Sequence, residues 1–259
     1  MEIQELYEKF KELDQVEALA LGGSRASGTN DSKSDYDLYV YVTDRIEDDV
    51  REALLFEFCD RMEIGNSFFE FEDNIVLKNG IGVEIIYRNI EDIDKLTSFV
   101  LDDAQPMNGY TTCFWHNLRT CDIVFDKTGR FIDLQNKCRI PYPKKLKNAI
   151  IKHNMSLLSG CLPSYDKQIR KAFERGDLVS VNHRTAAFLE SYFDVIFAIN
   201  EMTHPGEKRL VQICREQCYI LPEKFEENIN LLFEKMFKED VSDILKDMVS
   251  ELSKVIEKE

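Results

Sequence analysis

Two carboxylates two positions apart, Asp35 and Asp37, open the alternating stretch DYDLYVYV at residues 35–42, and a third, Glu84, sits in the apolar run GVEII at residues 82–86. Side chains at i and i+2 of a strand emerge on one face, roughly 7 Å apart. Such a pair can hold one or two Mg2+ ions, which take carboxylate oxygens together with substrate phosphates. The ions would neutralise a triphosphate, orient an in-line displacement and lower the pKa of an attacking hydroxyl. Just upstream lies Gly22-Gly23-Ser24-Arg25. Glycines let the backbone approach a phosphate closely. Ser24 offers a hydroxyl and an amide where a helix begins, and helix N-termini favour anions. Arg25 either contacts phosphate or solvates the turn. An acid in an apolar strand is costly without a cation or a hydrogen-bond partner; the alternative for Glu84 is an edge strand with the carboxylate in solvent.

The elements that must position these groups read as follows. Residues 3–13 space apolar side chains as an amphipathic helix, and Val16–Leu21 is a short buried strand running into a tight turn. Residues 35–42 alternate as a strand, and 45–59 return to helical spacing. Two β-branched runs within 74–88 flank Asn79-Gly80, the signature of a hairpin with a type I′ turn. A helix is expected over 90–101 and a short element over 121–125. Beyond Pro141 and Pro143 the pattern is helical over about 144–161, 164–175, 178–201, 205–218, 223–236 and 239–257. The expectation is an α/β (α+β) domain with a mixed sheet over 1–140 and an all-α helical bundle over 141–259.

The helix over 178–201 offers one more candidate group. Leu178, Val181, Phe188, Leu189, Tyr192, Ile196 and Ile199 form its apolar stripe, while His183, Glu190, Asp194 and Glu201 fall on a separate line. That line is either a solvated acidic face or the acidic wall of a site for a cationic acceptor, with Glu190 and Asp194 as its members.

Composition narrows the partners. A hydrophobic share of 44% with 31% charged residues is that of a folded chain, neither disordered nor fibrous. The formal net charge of -15 disfavours a polynucleotide substrate, since phosphate contacts call for a basic patch. No apolar run reaches the roughly 18 residues of a membrane span, and the charged N-terminus has no signal-peptide pattern, so a cytoplasmic location is expected. Seven cysteines with no Cys-x-x-Cys fit reduced thiols. Cys214 and Cys218, one helical turn apart, either share a metal or are buried small residues; for zinc, no His or third Cys stands at ligand spacing. The helical region also offers an apolar face for a homodimer.

The pattern Gly23-Ser24, ten residues, Asp35-x-Asp37 and a later strand acid resembles the nucleotidyltransferase superfamily typified by DNA polymerase beta, with its kanamycin, streptomycin and lincosamide nucleotidyltransferases. The context GGSRASG, SDYDLYV and VEIIYR, followed by NEMTHPGEKRL at residues 200–210, resembles a bacterial family of predicted nucleotidyltransferases with an uncharacterised helical C-terminal domain. The resemblance implies Asp35 and Asp37 as Mg2+ ligands and Gly23 and Ser24 as the phosphate-binding turn. Glu84 falls on the third carboxylate, a metal ligand or a general base, and Lys208 on a lysine that reaches the triphosphate. The implied reaction transfers a nucleoside monophosphate, AMP from ATP, to a hydroxyl of a small, antibiotic-like acceptor. Modification of a protein side chain and a non-catalytic nucleotide-sensing or antitoxin-type module are the alternatives.

Overall fold

The computed structural model describes residues 2–26, 28, 34–68, 70–239 and 241–258, with the side chains of Glu2 and Ser24 outside that description. The turn-prone stretch 29–33 lies outside it as well. The chain packs as two units, the first made of residues 1–98 and 117–140 and the second of 99–116 and 141–259. Residues 99–116, assigned to the first domain by the sequence reading, thus pack with the helices.

In the first unit six strands form one mixed sheet in the order β3-β4-β5-β2-β1-β6: β1 (Val16–Leu21), β2 (Tyr36–Val42), β3 (Cys59–Asn66), β4 (Glu72–Leu77), β5 (Gly82–Asn89) and β6 (Asp122–Asp126). β2 and β5 run parallel, and every other pairing is antiparallel. Alternation then sorts the side chains. Leu19, Leu38, Val40, Val42, Val83, Ile85 and Tyr87 enter one core with Ile3, Leu6, Tyr7 and Phe10 of α1 (Glu2–Lys11) and Leu55 of α3 (Asp48–Leu55). The opposite face of β2 carries Asp35 at its threshold, then Asp37, Tyr39 and Tyr41, of which Tyr39 and Tyr41 are buried. Tyr41 packs on Phe131 of α6 (Arg130–Cys138), ring centroids 4.2 Å apart.

Several boundaries depart from the sequence reading, each for a local reason. The helical pattern of 45–59 stops at Leu55, and Cys59 opens β3, an edge strand whose charged residues (Asp60, Arg61, Glu63) conceal its alternation. The hairpin between β4 and β5 does not use a type I′ turn, because Gly80 (φ 83°) has positive φ and Asn79 does not. Instead, Gly80 N–H donates to Leu77 O and Ile81 N–H donates to Asn79 Oδ1, as in a type I turn closed by a left-handed glycine. α4 (Ile90–Leu101) stands where expected, capped by Asn89 Oδ1, which accepts from the Glu91 and Asp92 amides.

The second unit is helical: α7 (Lys144–Leu158), α8 (Tyr165–Glu174), α9 (Leu178–Ile199), α10 (Leu210–Gln217), α11 (Phe225–Lys235) and α12 (Ser242–Lys258). α9 is the centre of this unit. Every residue from Ser191 to Ile199 is buried, so its second half has no solvated face, and the expected polar line does not exist there. Its exposed end is the N-terminal one, where Leu178, read as core, is 49% exposed. Among the described residues no helix is long and apolar enough to cross a membrane.

Candidate active site

The parallel register of β2 and β5 sets Asp37 directly beside Glu84 and Tyr36 beside Val83. On the far side of β5, Asn74 of β4 pairs with Glu84. Asn74, Glu84 and Asp37 therefore form a polar row across three adjacent strands, on the face opposite the α1 core. Glu84 is exposed, so its cost as a buried acid does not arise; nor is β5 an edge strand, since it lies between β4 and β2. One step along, Asp35 precedes the first strand residue and lies against Gly82, where an added Cβ would stand 2.6 Å from its Oδ1.

Glycines make room for both aspartates. Gly23 follows β1 in a left-handed conformation (φ 61°), and a Cβ there would collide with the Asp37 carboxylate. Gly22 donates its N–H to the Asp37 carbonyl at 2.8 Å. Gly23 and Ser24 begin the single turn α2 (Gly23–Ala26) beside Asp37. Arg25 spends its guanidinium on the chain entering β2. Its Nε donates to Ser34 O at 3.0 Å and to Asp35 O at 3.1 Å, Nη2 also donates to Ser34 O, and the group stacks 3.7 Å from the Tyr36 ring centre.

Beneath the row lies a network that the sequence reading passed over. Arg88, two turns of the pleat beyond Glu84 on the same face, donates Nε and Nη2 to the two Glu70 oxygens at 2.9 and 2.8 Å and Nη1 to Asn117 Oδ1 at 2.8 Å. Its guanidinium also lies 4.2 Å from the centre of the Tyr39 ring, whose hydroxyl accepts from Asn117 Nδ2. Burial works against the Arg88 charge, but Glu70 and the two tyrosines outweigh it and hold its pKa above the ordinary value. The network fixes the β2 and β5 side chains that flank the carboxylates. An arginine four residues from a strand acid, on the same face, was the available signal.

The remaining candidates lie in the second unit. Lys208 is exposed in the turn before α10. Glu190 is partly buried, and desolvation raises its pKa against the opposing pull of His183. Asp194 is no acceptor wall: it is 1% exposed, and both oxygens are committed. Its Oδ1 accepts from Thr111 N–H at 3.2 Å, and Oδ2 accepts from Thr111 Oγ1 at 2.7 Å and Asn154 Nδ2 at 3.0 Å. It ties the 107–111 loop to α9.

Burial pushes Asp194 up to about 7 from its ordinary 3.8, against those three donors. A folded carboxylate with a raised pKa holds a proton that the unfolded one has lost. Its contribution to stability therefore falls as pH rises from about 4 to about 7 and is flat above. Asp194→Asn should remove that slope. Urea melts of both proteins between pH 4.5 and 8 should show a stability difference that changes by at least about 1 kcal/mol across the window; parallel curves would contradict the assignment.

Residues 3–106 match the nucleotidyltransferase domain family. This segment is a nucleotidyltransferase domain. It carries Gly23, Asp35, Asp37 and Glu84 in the arrangement just described. No curated protein sequence matches the chain. Among solved structures, a nucleotidyltransferase-like protein from Exiguobacterium sibiricum 255-15 shares 12% identity over 98% of this chain and 73% of its own, with a TM-score of 0.47. An aminoglycoside 6-adenyltransferase from Bacillus subtilis shares 10% over 98% and 90%, with a TM-score of 0.30. The Thermotoga maritima CCA-adding enzyme, in complex with tRNA, shares 11% over 98% and 80%, with a TM-score of 0.31. Likenesses this distant transfer neither substrate nor acceptor to the nucleotidyltransferase domain.

Proposed function

We propose that the nucleotidyltransferase domain binds a Mg2+–nucleoside triphosphate, ATP on the resemblance stated above, and transfers its nucleoside monophosphate to a hydroxyl of a small-molecule acceptor. The observation that carries this reading is the seating of the carboxylates. Asp37 lies between Gly23 and Glu84, and Asp35 lies one pleat away on the same side.

The donor set suits Mg2+. Mg2+ binds through one or two carboxylates while keeping waters and substrate phosphates. When bound it would supply charge neutralisation and in-line alignment. Asp35 and Asp37 would hold it. The Gly23–Ser24 turn would let backbone amides approach the triphosphate, with Arg25 keeping the entry to β2 in register. The acceptor oxygen would bond to the α-phosphorus as the bridging P–O bond to the β-phosphate breaks and pyrophosphate leaves. Glu84, beside Asp37, would take the hydroxyl proton or complete the metal site.

The test is thermal denaturation of the whole chain with each Mg2+–nucleoside triphosphate. A ligand at 100 times its dissociation constant should add about 2.7 kcal/mol, a rise of several degrees, and Asp37→Asn should lose it. No rise with any of the four at millimolar concentration would refute the reading.

A further inference from the structure

Three sulfur side chains converge in the second unit, away from any group used above. Cys214 lies on α10 with no exposure, and Cys218 follows one turn later at the end of that helix, half-buried. Four residues apart at the end of one helix, the two side chains fall on the same helix face, one turn apart. The third sulfur comes from Met202, in the turn after α9, and Cys218 Sγ lies 3.8 Å from its Sδ.

The backbone holds these sulfurs together. Asn200 Nδ2 donates to Ile220 O at 2.8 Å, and Ile220 N–H donates back to Asn200 Oδ1 at 2.8 Å. This two-bond clasp joins the turn that carries Met202 to the turn that carries Cys218. Cys218 N–H also donates to Cys214 O at 2.9 Å. The surroundings are apolar: Leu210, Val211, Ile213, Ile220 and Leu221 pack on the same core.

We propose that Cys214, Cys218 and Met202 form a binding site for a soft monovalent metal ion, Cu(I). A metal–thiolate bond of about 2.3 Å in a trigonal plane sets sulfurs roughly 4.0 Å apart, close to the distance at which Met202 and Cys218 already stand. Two thiolates and a thioether are soft donors that suit Cu(I), whereas zinc would ask for a fourth ligand of nitrogen or thiolate type. That is why the cysteine spacing alone does not point to a site: the third ligand is a methionine eight residues before the helix begins. Binding replaces two thiol protons by one cation, so two protons leave for each ion bound.

The experiment uses the reduced full-length chain under anaerobic conditions, titrated with Cu(I) against a chromogenic Cu(I) chelator. The wild type should retain one equivalent against the chelator and show near-ultraviolet sulfur-to-copper absorption. Cys218→Ser, half-exposed and therefore tolerable to the fold, should lose that equivalent. Met202→Leu, which keeps the volume, should hold it at least about tenfold more weakly, a ligand-level loss. Retention by Cys218→Ser equal to the wild type would place the metal on other cysteines and overturn the proposal. So would a wild type that yields all its copper to the chelator, or a Met202→Leu variant that binds as tightly as the wild type.

Discussion

Gly23→Ala should remove the Mg2+–nucleotide-dependent rise in melting temperature and slow any pyrophosphate-releasing turnover about 100-fold, with the fold retained. Two costs act at this position. A left-handed φ of 61° costs an alanine about 1–2 kcal/mol that glycine does not incur. The second cost is positional: the new methyl group falls inside the contact distance of the Asp37 carboxylate, which must move. Reacting groups tolerate little of this, and a displacement of about 1 Å can cost about 100-fold in rate. Gly80→Ala is the control. It shares the positive φ (83°) in the same unit, but nothing stands within 4 Å of its added Cβ. It should lose comparable stability and keep the full nucleotide response. Equal loss of response in both variants would show backbone strain alone at work, and the proposed seating of Asp37 would fail.

The same geometry shows how far the sequence could be read. The Asp35, Asp37 and Glu84 set was legible because alternation on a strand fixes the face of each side chain, and a glycine pair before a carboxylate pair is locally specific. What spacing could not supply was the pairing of β2 with β5, a non-local event that places Glu84 beside Asp37 rather than elsewhere on the sheet. Strand β3 was missed because an edge strand presents charges on both sides. Asp194 was misread for a different reason. Helical periodicity gives directions around one axis but not which directions are covered, and neighbouring helices together with the 107–111 loop enclose the second half of α9 on all sides. The buried pairings of Arg88 and Arg51 were not legible, since the partners that fix them across the sheet, Glu70, Asn117 and Asp73, lie 18 to 29 residues away.

Asp73→Ala should be the most destabilising of these substitutions, lowering the stability of the first unit by about 3–5 kcal/mol, the cost of stranding one member of a buried ion pair. Arg51 and Asp73 are both fully buried, on α3 and β4, and Arg51 Nη1 donates to Asp73 Oδ1. The carboxylate has further partners: Gly65 N–H donates to Oδ1 at 2.8 Å and the Tyr87 hydroxyl to Oδ2 at 2.8 Å. Removing it leaves a guanidinium between the Phe71 and Tyr87 rings, 4.8 and 5.0 Å from their centres, held by Asp48 and the Ile46 carbonyl alone. Tyr87 and Glu84 share β5, so loosening this cluster also loosens the strand that carries the third carboxylate. The double variant Arg51→Met with Asp73→Leu removes the charge along with its partner and should recover most of the loss, because a buried pair often contributes no more than apolar side chains of similar volume. Urea denaturation of the single and double variants decides the matter. If Asp73→Ala costs less than about 1 kcal/mol, the pair is not the clamp that joins α3 to the sheet. If the double variant is as unstable as the single one, the hydrogen bonds to Gly65 and Tyr87, rather than the stranded charge, set the cost.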